Sequence, residues 1–309
     1  MSETIYDAVV VGGGPSGATI ATDLARAGRQ ILLLDRAGRI KPCGGAVPPR
    51  LLEEFGIPHS LLVARARAAR MIAPSDRKVD MPVGEIGYVG MVDRDVFDEW
   101  LRKRAAQVGA ERRTGTFERI ERTEGEAPTV CYREARGGDI KRVRTRLVIG
   151  ADGARSAVAA QNIAAAERMK CVFAYHEIIE SPQGTSDAFD GARCDVFYQG
   201  HLSPDFYAWV FPHGKTASIG VGSANKGFSL RGSVARMRGD LGLDSCETIR
   251  REGAPIPLKP LRRWDNGSDV IVAGDAAGVV APASGEGIYY AMMGGRCVAQ
   301  AAAQFLATG

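Results

Sequence analysis

The sequence lacks the features of metal-bound, disulfide-bonded and membrane-spanning proteins. Its six cysteines are scattered without a Cys-x-x-Cys pair, and its four histidines show no metal-ligand spacing. We therefore expect no metal and no disulfide framework, and a reducing cytosol is the simplest setting. No segment approaches the roughly 20 apolar residues that span a bilayer. The mildly acidic start, Met1–Thr4, predicts no signal peptide.

An excess of charge of one sign is also missing. The chain has 40 Lys and Arg against 36 Asp and Glu, which gives a net charge of +4. This balance does not favour a nucleic-acid partner. The length of 309 residues, with 45% hydrophobic and 25% charged residues, is typical of a globular enzyme with one large or two modest domains.

The sequence does contain a glycine-rich turn, Val9–Gly17, between a strand pattern and a helix pattern. In such a turn Gly12 makes the bend, Gly14 lets the backbone approach a pyrophosphate, and Gly17 packs helix against strand. The N–H groups at the start of the helix attract phosphates. The residues predicted to hold a dinucleotide here are Gly12, Gly14, Pro15, Ser16 and Gly17.

An acid and a second glycine turn strengthen this prediction. Asp35 ends the strand pattern Ile31–Asp35, about 20 residues after the first turn. Its carboxylate can accept a hydrogen bond from a ribose hydroxyl and repels a 2′-phosphate, which favours FAD or NAD over NADP at this site; Arg36 beside it is a further candidate. The second turn, Val270–Gly278, resembles the other half of one flavin site.

The periodicity predicts an α/β fold. Residues 5–36 form a strand–helix–strand pattern, Asp93–Val108 and Glu286–Leu306 have helical periodicity, and 112–146 predict short antiparallel strands around a turn. Aromatic and β-branched runs over 165–262 predict an antiparallel sheet. We expect a Rossmann-like FAD-binding domain with an inserted antiparallel β-sheet domain. The expected boundaries are 1–60, 91–164 and 265–309 for the FAD-binding domain, and 61–90 and 165–264 for the sheet domain.

Four further segments carry a resemblance that covers nearly the whole chain. They are Lys41–Ala46, Gly150–Ser156, Pro204–Pro212 and Ser284–Tyr289. Together they resemble the geranylgeranyl reductases, a branch of the FAD-dependent fold shared with aromatic hydroxylases. The resemblance implies FAD as cofactor, NADPH as electron donor, and reduction of geranylgeranyl double bonds to phytyl. The implied substrates are geranylgeranyl-(bacterio)chlorophyll and geranylgeranyl diphosphate.

The resemblance also implies further cofactor residues. Asp275, after Gly274, would hold ribityl hydroxyls, and Arg94 would contact FAD unless it forms only a surface ion pair. Asp152 would shape the flavin surface, or would only cap the helix that follows it. Backbone N–H groups around Gly285 and Gly287 could stabilise a reduced flavin. The loop Cys43, Gly44 and Gly45 should lie near the flavin.

Alternate residues Tyr207, Trp209 and Phe211 share one face of a predicted strand. Ordinary core packing would explain such a face, but the resemblance implies that these rings bind the isoprenoid tail. Each buried CH₂ of a tail contributes about 0.8 kcal/mol. An isolated alkene accepts hydride poorly, so we expect a proton donor, and Cys43 and Tyr207 are the catalytic candidates.

Two other functions fit the same sequence. One is an FAD-dependent aromatic-type monooxygenase, and the other is a non-catalytic carrier of prenyl lipid or pigment. A twenty-carbon tail resides in membrane, while the chain shows no spanning segment. We therefore expect a cytoplasmic protein in peripheral contact with the (photosynthetic) membrane.

Overall fold

The structure, a computed structural model, describes residues 4–36, 38, 40–281 and 284–308. The helices in these residues are α1 (Pro15–Arg26), α2 (Pro49–Glu54), α3 (Arg94–Gln107), α4 (Ala157–Asn162), α5 (Leu230–Asp240) and α6 (Ile288–Thr308). The strands are β1 (Ile5–Val11), β2 (Ile31–Asp35), β3 (Ala46–Val47), β4 (Leu62–Ala66), β5 (Ala68–Ile72), β6 (Lys78–Pro82), β7 (Val89–Val92), β8 (Glu111–Thr114), β9 (Thr116–Glu121), β10 (Thr129–Arg133), β11 (Ile140–Gly150), β12 (Cys171–Glu180), β13 (Arg193–Phe197), β14 (Ala208–His213), β15 (Thr216–Ser223), β16 (Thr248–Pro257) and β17 (Val270–Val272).

The chain divides into two compact units. The first unit comprises Met1–Arg39, Asp98–Lys170 and Pro257–Gly309, and the second comprises Ile40–Phe97 and Cys171–Ile256. Both units are therefore discontinuous in sequence.

A mixed sheet forms the centre of the first unit, with strand order β8-β2-β1-β11-β10-β9 and β17 paired with β11. β1 runs parallel to β2 and β11, whereas β10 is antiparallel to β9 and β11. Side chains of β1 alternate between two cores: Ala8 and Val10 pack with α1 and α6, and Val9 and Val11 pack with α4. Because helices cover both faces, the central parallel strands are apolar along their length.

The predicted elements of the first unit are largely confirmed. The strand–helix–strand pattern over 5–36 is β1, α1 and β2, and the helix predicted from Asp93 is α3. The last helix begins at Ile288 rather than at Glu286. Glu286 does not start the helix, because its carboxylate accepts a hydrogen bond from the Tyr289 N–H at 2.8 Å and so caps the first turn.

The second unit contains the predicted antiparallel sheet. Its order is β16-β12-β15-β14-β13-β5-β6, and β12, β15, β14 and β13 pair antiparallel in turn. β13 and β5 are parallel, and β3, β7 and β4 form a separate small sheet. Helix α5 was not predicted from the sequence. Ser229 caps it by accepting from the Gly232 N–H, and Val234 and Met237 bury its apolar side against the strands.

The unit boundaries differ from those expected from the sequence. Residues 40–60 and 91–97 lie in the second unit, because β3 pairs with β7 and β7 pairs with β4. Residues 165–170 and 257–264 lie in the first unit. The Trp264 carbonyl, for example, accepts a hydrogen bond from the Val272 N–H of β17 at 2.7 Å. Backbone pairing, which composition does not reveal, sets these boundaries.

Candidate functional site

Three glycines shape the turn between β1 and α1. A Cβ on Gly12 would lie 2.3 Å from the Ala151 carbonyl oxygen, and a Cβ on Gly17 would lie 1.9 Å from the Gly12 carbonyl oxygen. Gly12 also has a φ of +106°, which residues with side chains rarely adopt. A Cβ on Gly14 would instead meet nothing within 4 Å. The turn is therefore tightly packed at Gly12 and Gly17 and open at Gly14.

The start of α1 offers polar groups to an anion. Gly14 is the N-cap residue and has no side chain to cap the first turn, and Pro15 begins the helix. The Ser16 hydroxyl belongs to a side chain only 5% exposed and has no hydrogen-bond partner in the described part of the chain. Leaving a buried hydroxyl unpaired is unfavourable. The orphaned Ser16 Oγ and the positive end of the helix fit the pyrophosphate of FAD.

The two glycine turns lie against each other in the first unit. A Cβ on Gly274 would lie 2.9 Å from the Ser16 Cβ. The Ala273 N–H donates to the Gly150 carbonyl oxygen at 2.9 Å, which ties the second turn to β11. The structure thus brings both turns to the carboxyl edge of the parallel strands, where nucleotides bind in sheets of this type.

In the segment before α6, the N–H of Gly285 differs from the expectation that it faces a flavin. The Gly285 N–H already donates to the Ala281 carbonyl oxygen at 2.8 Å, so it is not available to a flavin. Gly287 directly precedes α6, and a Cβ there would lie 3.8 Å from Oδ1 of Asp275. Asp275 is buried and follows Gly274. Gly287 and Asp275 therefore lie together and stay candidates for the cofactor site.

Asp35 ends β2 beside an arginine that sequence reasoning missed. Nη1 of Arg102, on α3, donates to the Asp35 carboxylate at 3.2 Å and to the Gly13 carbonyl oxygen at 3.3 Å. Asp35 and Arg102 line a cavity of about 340 Å³ at this edge. Its other lining residues are Leu33, Arg36, Gly38, Glu99, Arg112, Arg113 and Thr114.

This cavity, at the end of β2 and beside the first glycine turn, fits the adenosine part of a dinucleotide. Arg102 and Arg112 both pair with Glu99 at 3.0 Å, which offsets part of the positive charge around Asp35. Nothing in the local sequence distinguishes Arg102 from the other arginines of α3. Only its contact with Asp35 marks it as a candidate cofactor residue.

Asp152 and Arg94, two further residues expected at the cofactor, lie at the starts of helices. The Asp152 carboxylate accepts from the Ser156 hydroxyl at 2.5 Å and from the Ala157 N–H at 2.7 Å, so it caps α4. Burial raises the pKa of Asp152 above its usual value. Arg94 is the first residue of α3 and is buried. A contact of either residue with FAD stays a proposal.

The aromatic residues form one continuous face in the second unit. Tyr207 lies one residue before β14, and Trp209 and Phe211 lie on that strand. The ring centroids are 5.9 Å apart for Tyr207 and Trp209, and 6.1 Å apart for Trp209 and Phe211. The prediction that these three rings share one face is confirmed. Phe206, which was not predicted, extends the face by stacking on Tyr207 at 4.2 Å.

A polar chain behind this face fixes the Trp209 indole. Its Nε1–H donates to the Ser218 hydroxyl at 3.1 Å, and Ser218 Oγ lies 2.9 Å from Nδ1 of His176. Nε2 of His176 lies 3.2 Å from the Glu252 carboxylate. The strand β15 makes room for the ring, because a Cβ on Gly220 would lie 2.1 Å from Cζ2 of Trp209. The Gly-x-Gly alternation in β15 is the one sequence signal that could have revealed this packing.

The cysteine turn contacts the same face. A Cβ on Gly44 would lie 3.1 Å from the Phe211 ring and 3.9 Å from Nε1 of Trp209. The Gly45 N–H points to the Cys43 sulfur at 3.4 Å. Burial, with smaller contributions from the nearby Tyr198 and Cys43, raises the pKa of Tyr207 well above its usual value. The second unit therefore brings both proposed proton donors and the aromatic face together.

The glycine turns, the buried Ser16 hydroxyl and the acid at the end of β2 are the features of a protein that binds a flavin nucleotide. Residues 5–308 match the family described as FAD binding domain. A geranylgeranyl diphosphate reductase from Rhodobacter capsulatus is 59% identical over 304 residues, which are 98% of this chain and 76% of that protein. The chain belongs to the geranylgeranyl reductase family of FAD-binding proteins.

Two further comparisons agree with this assignment. The chloroplastic geranylgeranyl diphosphate reductase of Oryza sativa is 34% identical, over 94% of this chain and 65% of that protein. A crystal structure of a geranylgeranyl bacteriochlorophyll reductase-like protein from Thermoplasma acidophilum superposes with a TM-score of 0.87 at 23% identity, covering 99% of this chain and 80% of that one. At that identity the superposition establishes the shared fold.

Replacing Gly14 by alanine tests the phosphate turn. We expect Gly14→Ala to keep the thermal stability of the FAD-free protein, because the new methyl group meets no protein atom within 4 Å. FAD affinity should fall by about tenfold or more, roughly 1.4 kcal/mol, because the methyl group would enter the space proposed for the pyrophosphate. Calorimetric titration with FAD measures this. Gly17→Ala, at the tightly packed glycine of the same turn, is the matched control and should destabilise the fold. Unchanged FAD affinity in Gly14→Ala would contradict the assignment of this turn to the pyrophosphate.

Replacing Gly220 by alanine tests the position of the Trp209 ring. The added methyl group would overlap the indole, and we expect a loss of about 1–3 kcal/mol in the free energy of unfolding, as for other overpacked cores. Urea unfolding and tryptophan fluorescence measure the stability and the indole environment. Gly191→Ala, where a Cβ meets nothing within 4 Å, should change neither; equal effects of both variants would argue against the close fit.

Proposed function

We propose that the protein reduces geranylgeranyl double bonds to phytyl with FAD as cofactor and NADPH as electron donor. The proposed substrates are geranylgeranyl-(bacterio)chlorophyll and geranylgeranyl diphosphate. The observation that carries this proposal is the Cys43 turn packed against the aromatic face of Tyr207, Trp209 and Phe211. The 59% identity to a geranylgeranyl diphosphate reductase over 98% of the chain supports it.

The proposed cofactor residues divide by the part of FAD that they would hold. Ser16 and the N–H groups at the start of α1 would bind the pyrophosphate, and Asp35 would accept a hydrogen bond from the ribose. Asp275, behind Gly274, would hold hydroxyls of the ribityl chain. Bound FAD supplies the hydride that the reaction needs.

The aromatic face would bind and orient the isoprenoid tail. Flat apolar rings fit a chain of methyl-branched alkene units and exclude water from the reacting double bond. The indole of Trp209 cannot turn freely because Ser218 holds its N–H. A fixed ring orientation would define which double bond lies at the reacting position.

Tyr207 or Cys43 would donate the proton. Hydride adds to one alkene carbon and a proton to the other, so each reduced double bond gains two hydrogens. A tyrosine hydroxyl is protonated at neutral pH and can therefore act as an acid; burial raises the pKa of Tyr207, which makes it a weaker acid than an exposed tyrosine. Cys43 lies in the adjacent turn and is partly exposed.

Separate substitutions of the two donors test this assignment. In Tyr207→Phe and Cys43→Ser, anaerobic flavin reduction by NADPH should proceed at the unchanged rate. The variant that lacks the true proton donor should reoxidise its flavin with geranylgeranyl diphosphate about 10²-fold more slowly or worse. This factor is the usual contribution of an acid catalyst. Stopped-flow absorbance and mass analysis of the tail follow the two steps.

Three results of this experiment would count against the proposal. If neither variant slows alkene reduction, both donor assignments are wrong. If turnover requires oxygen, the protein is a monooxygenase. If the unchanged protein binds the prenyl compound but never oxidises NADPH without oxygen, it is a carrier.

We further propose peripheral contact with a membrane, since the proposed pigment substrate resides there. In the described residues no helix has the length and apolarity needed to cross a bilayer. Liposomes loaded with geranylgeranylated pigment should carry the protein upward in a flotation gradient, and pigment-free liposomes are the control. Protein that stays at the bottom of both gradients would contradict membrane contact.

A further inference from the structure

The ring of His213 lies between the cysteine turn and an acid. His213 is the last residue of β14, the strand that carries Trp209 and Phe211, and it is only 7% exposed. Nε2 of His213 lies 2.9 Å from the Gly44 carbonyl oxygen, and Nδ1 lies 3.4 Å from the Asp93 carboxylate. The two ring nitrogens therefore connect the backbone of the cysteine turn to the residue before α3.

The chemistry of the two partners determines the direction of these interactions. A carbonyl oxygen only accepts hydrogen bonds, so Nε2 of His213 carries the hydrogen and donates to Gly44. The Asp93 carboxylate, which also only accepts, faces Nδ1 of His213. The hydrogen bond from His213 holds the pKa of Asp93 below its usual value. Asp93 thereby orients the ring so that Nε2 points at the turn, as an acid does for many functional histidines.

The cysteine turn packs closely around the His213 ring at Gly45. Gly45 has a φ of +71°, and a Cβ there would lie 2.6 Å from Cε1 of His213 and 2.5 Å from the Val92 carbonyl oxygen. The Gly45 carbonyl oxygen also accepts from the Val92 N–H at 2.9 Å. The ring thus fills the space that the missing side chain leaves, and the turn closes around it.

The position of the Cys43 sulfur depends on the same turn. The Gly45 N–H points to the sulfur at 3.4 Å, and Gly44 packs against the Phe211 ring. A shift of the Gly44 carbonyl would move both contacts. The hydrogen bond from His213 therefore acts on Cys43 and on the aromatic face through the backbone.

We propose that His213 is a positioning residue that holds the Cys43 turn against the aromatic face through its Nε2–H bond to Gly44. Asp93 orients the ring. His213 acts through the turn and does not itself contact the substrate. The consequence for alkene reduction rests on the proposed function, whereas the control of the position of Cys43 does not.

Two isosteric substitutions separate the two ring nitrogens. In His213→Gln the side-chain amide can replace Nε2–H as donor to Gly44. In His213→Asn the shorter amide can replace only Nδ1–H as donor to Asp93. Both variants bury an amide at the same place, so a general effect of losing the ring would appear in both. His201→Asn, at an exposed histidine, is the surface control.

Alkylation of Cys43 reads out the position of the turn without any activity. Iodoacetamide labelling, followed by peptide mass analysis, should be about tenfold faster at Cys43 in His213→Asn, the effect expected from losing one hydrogen bond of this kind. The rate in His213→Gln and in His201→Asn should stay within about twofold of the unchanged protein. Equal labelling rates in His213→Asn and His213→Gln would overturn the proposal.

Anaerobic turnover supplies the second readout. In FAD-loaded His213→Asn, reduction of geranylgeranyl diphosphate should slow by about tenfold while flavin reduction by NADPH keeps its rate, and His213→Gln should restore most of the loss. If labelling changes as expected but no variant, including the unchanged protein, reduces any prenyl compound, the proposed function fails and the positioning role stands.

A measurement on the unchanged protein covers the case that both variants fail to fold. The chain has only four histidines, so selective ¹⁵N labelling of histidine gives a simple NMR spectrum. The Nε2 resonance of His213 should show a directly bonded hydrogen that exchanges slowly with solvent. An Nε2 without hydrogen would overturn the proposed bond to Gly44.

Discussion

The close approach of backbone to backbone at Gly12 and Gly17 is the constraint on which the nucleotide unit depends. A Cβ on residue 17 would lie 1.9 Å from the Gly12 carbonyl oxygen, and a Cβ on residue 12 would lie 2.3 Å from the Ala151 carbonyl oxygen. This contact places the start of α1 directly above the edge of the sheet. The second glycine turn packs against Ser16, whose hydroxyl has no hydrogen-bond partner among the described residues, and Gly13 of the first turn lies beside Asp35, which lines the cavity. The proposed site for FAD therefore depends on glycines whose missing side chains leave room for the backbone.

The second unit uses glycine for a different purpose. At Gly220 the indole of Trp209, on the paired strand β14, fills the space of the missing side chain. At Gly45 the imidazole of His213, also on β14, fills that space. Each ring is then fixed by hydrogen bonds, to Ser218 in one case and to Gly44 in the other. Rigid rings in fitted spaces lose little further conformational freedom when an apolar chain binds, which favours an aromatic face over flexible aliphatic residues.

Two buried histidines, each beside an acid, support groups of the proposed substrate site. Glu252 lies beside His176 behind the Trp209 indole, and Asp93 lies beside His213 behind the cysteine turn. The histidines and acids therefore support groups that would contact substrate without contacting it themselves. Such outer partners commonly determine how precisely reacting groups are placed. Their arrangement suits a reaction in which a proton donor must meet one particular double bond.

The sequence alone determined the nucleotide fold, the two glycine turns and the shared face of Tyr207, Trp209 and Phe211, because these depend on local periodicity and on spacings within a single element. Helix α5 escaped prediction because its two glycines weaken the helical pattern. Only the tertiary structure decided the unit boundaries, the capping role of Asp152, the internal hydrogen bond of Gly285, and the partners of Asp35 and Gly44. The physical reason is distance along the chain: Arg102 lies 67 residues from Asp35, and His213 lies 169 residues from Gly44. Contacts of that kind arise from strand pairing and packing, which no local pattern encodes.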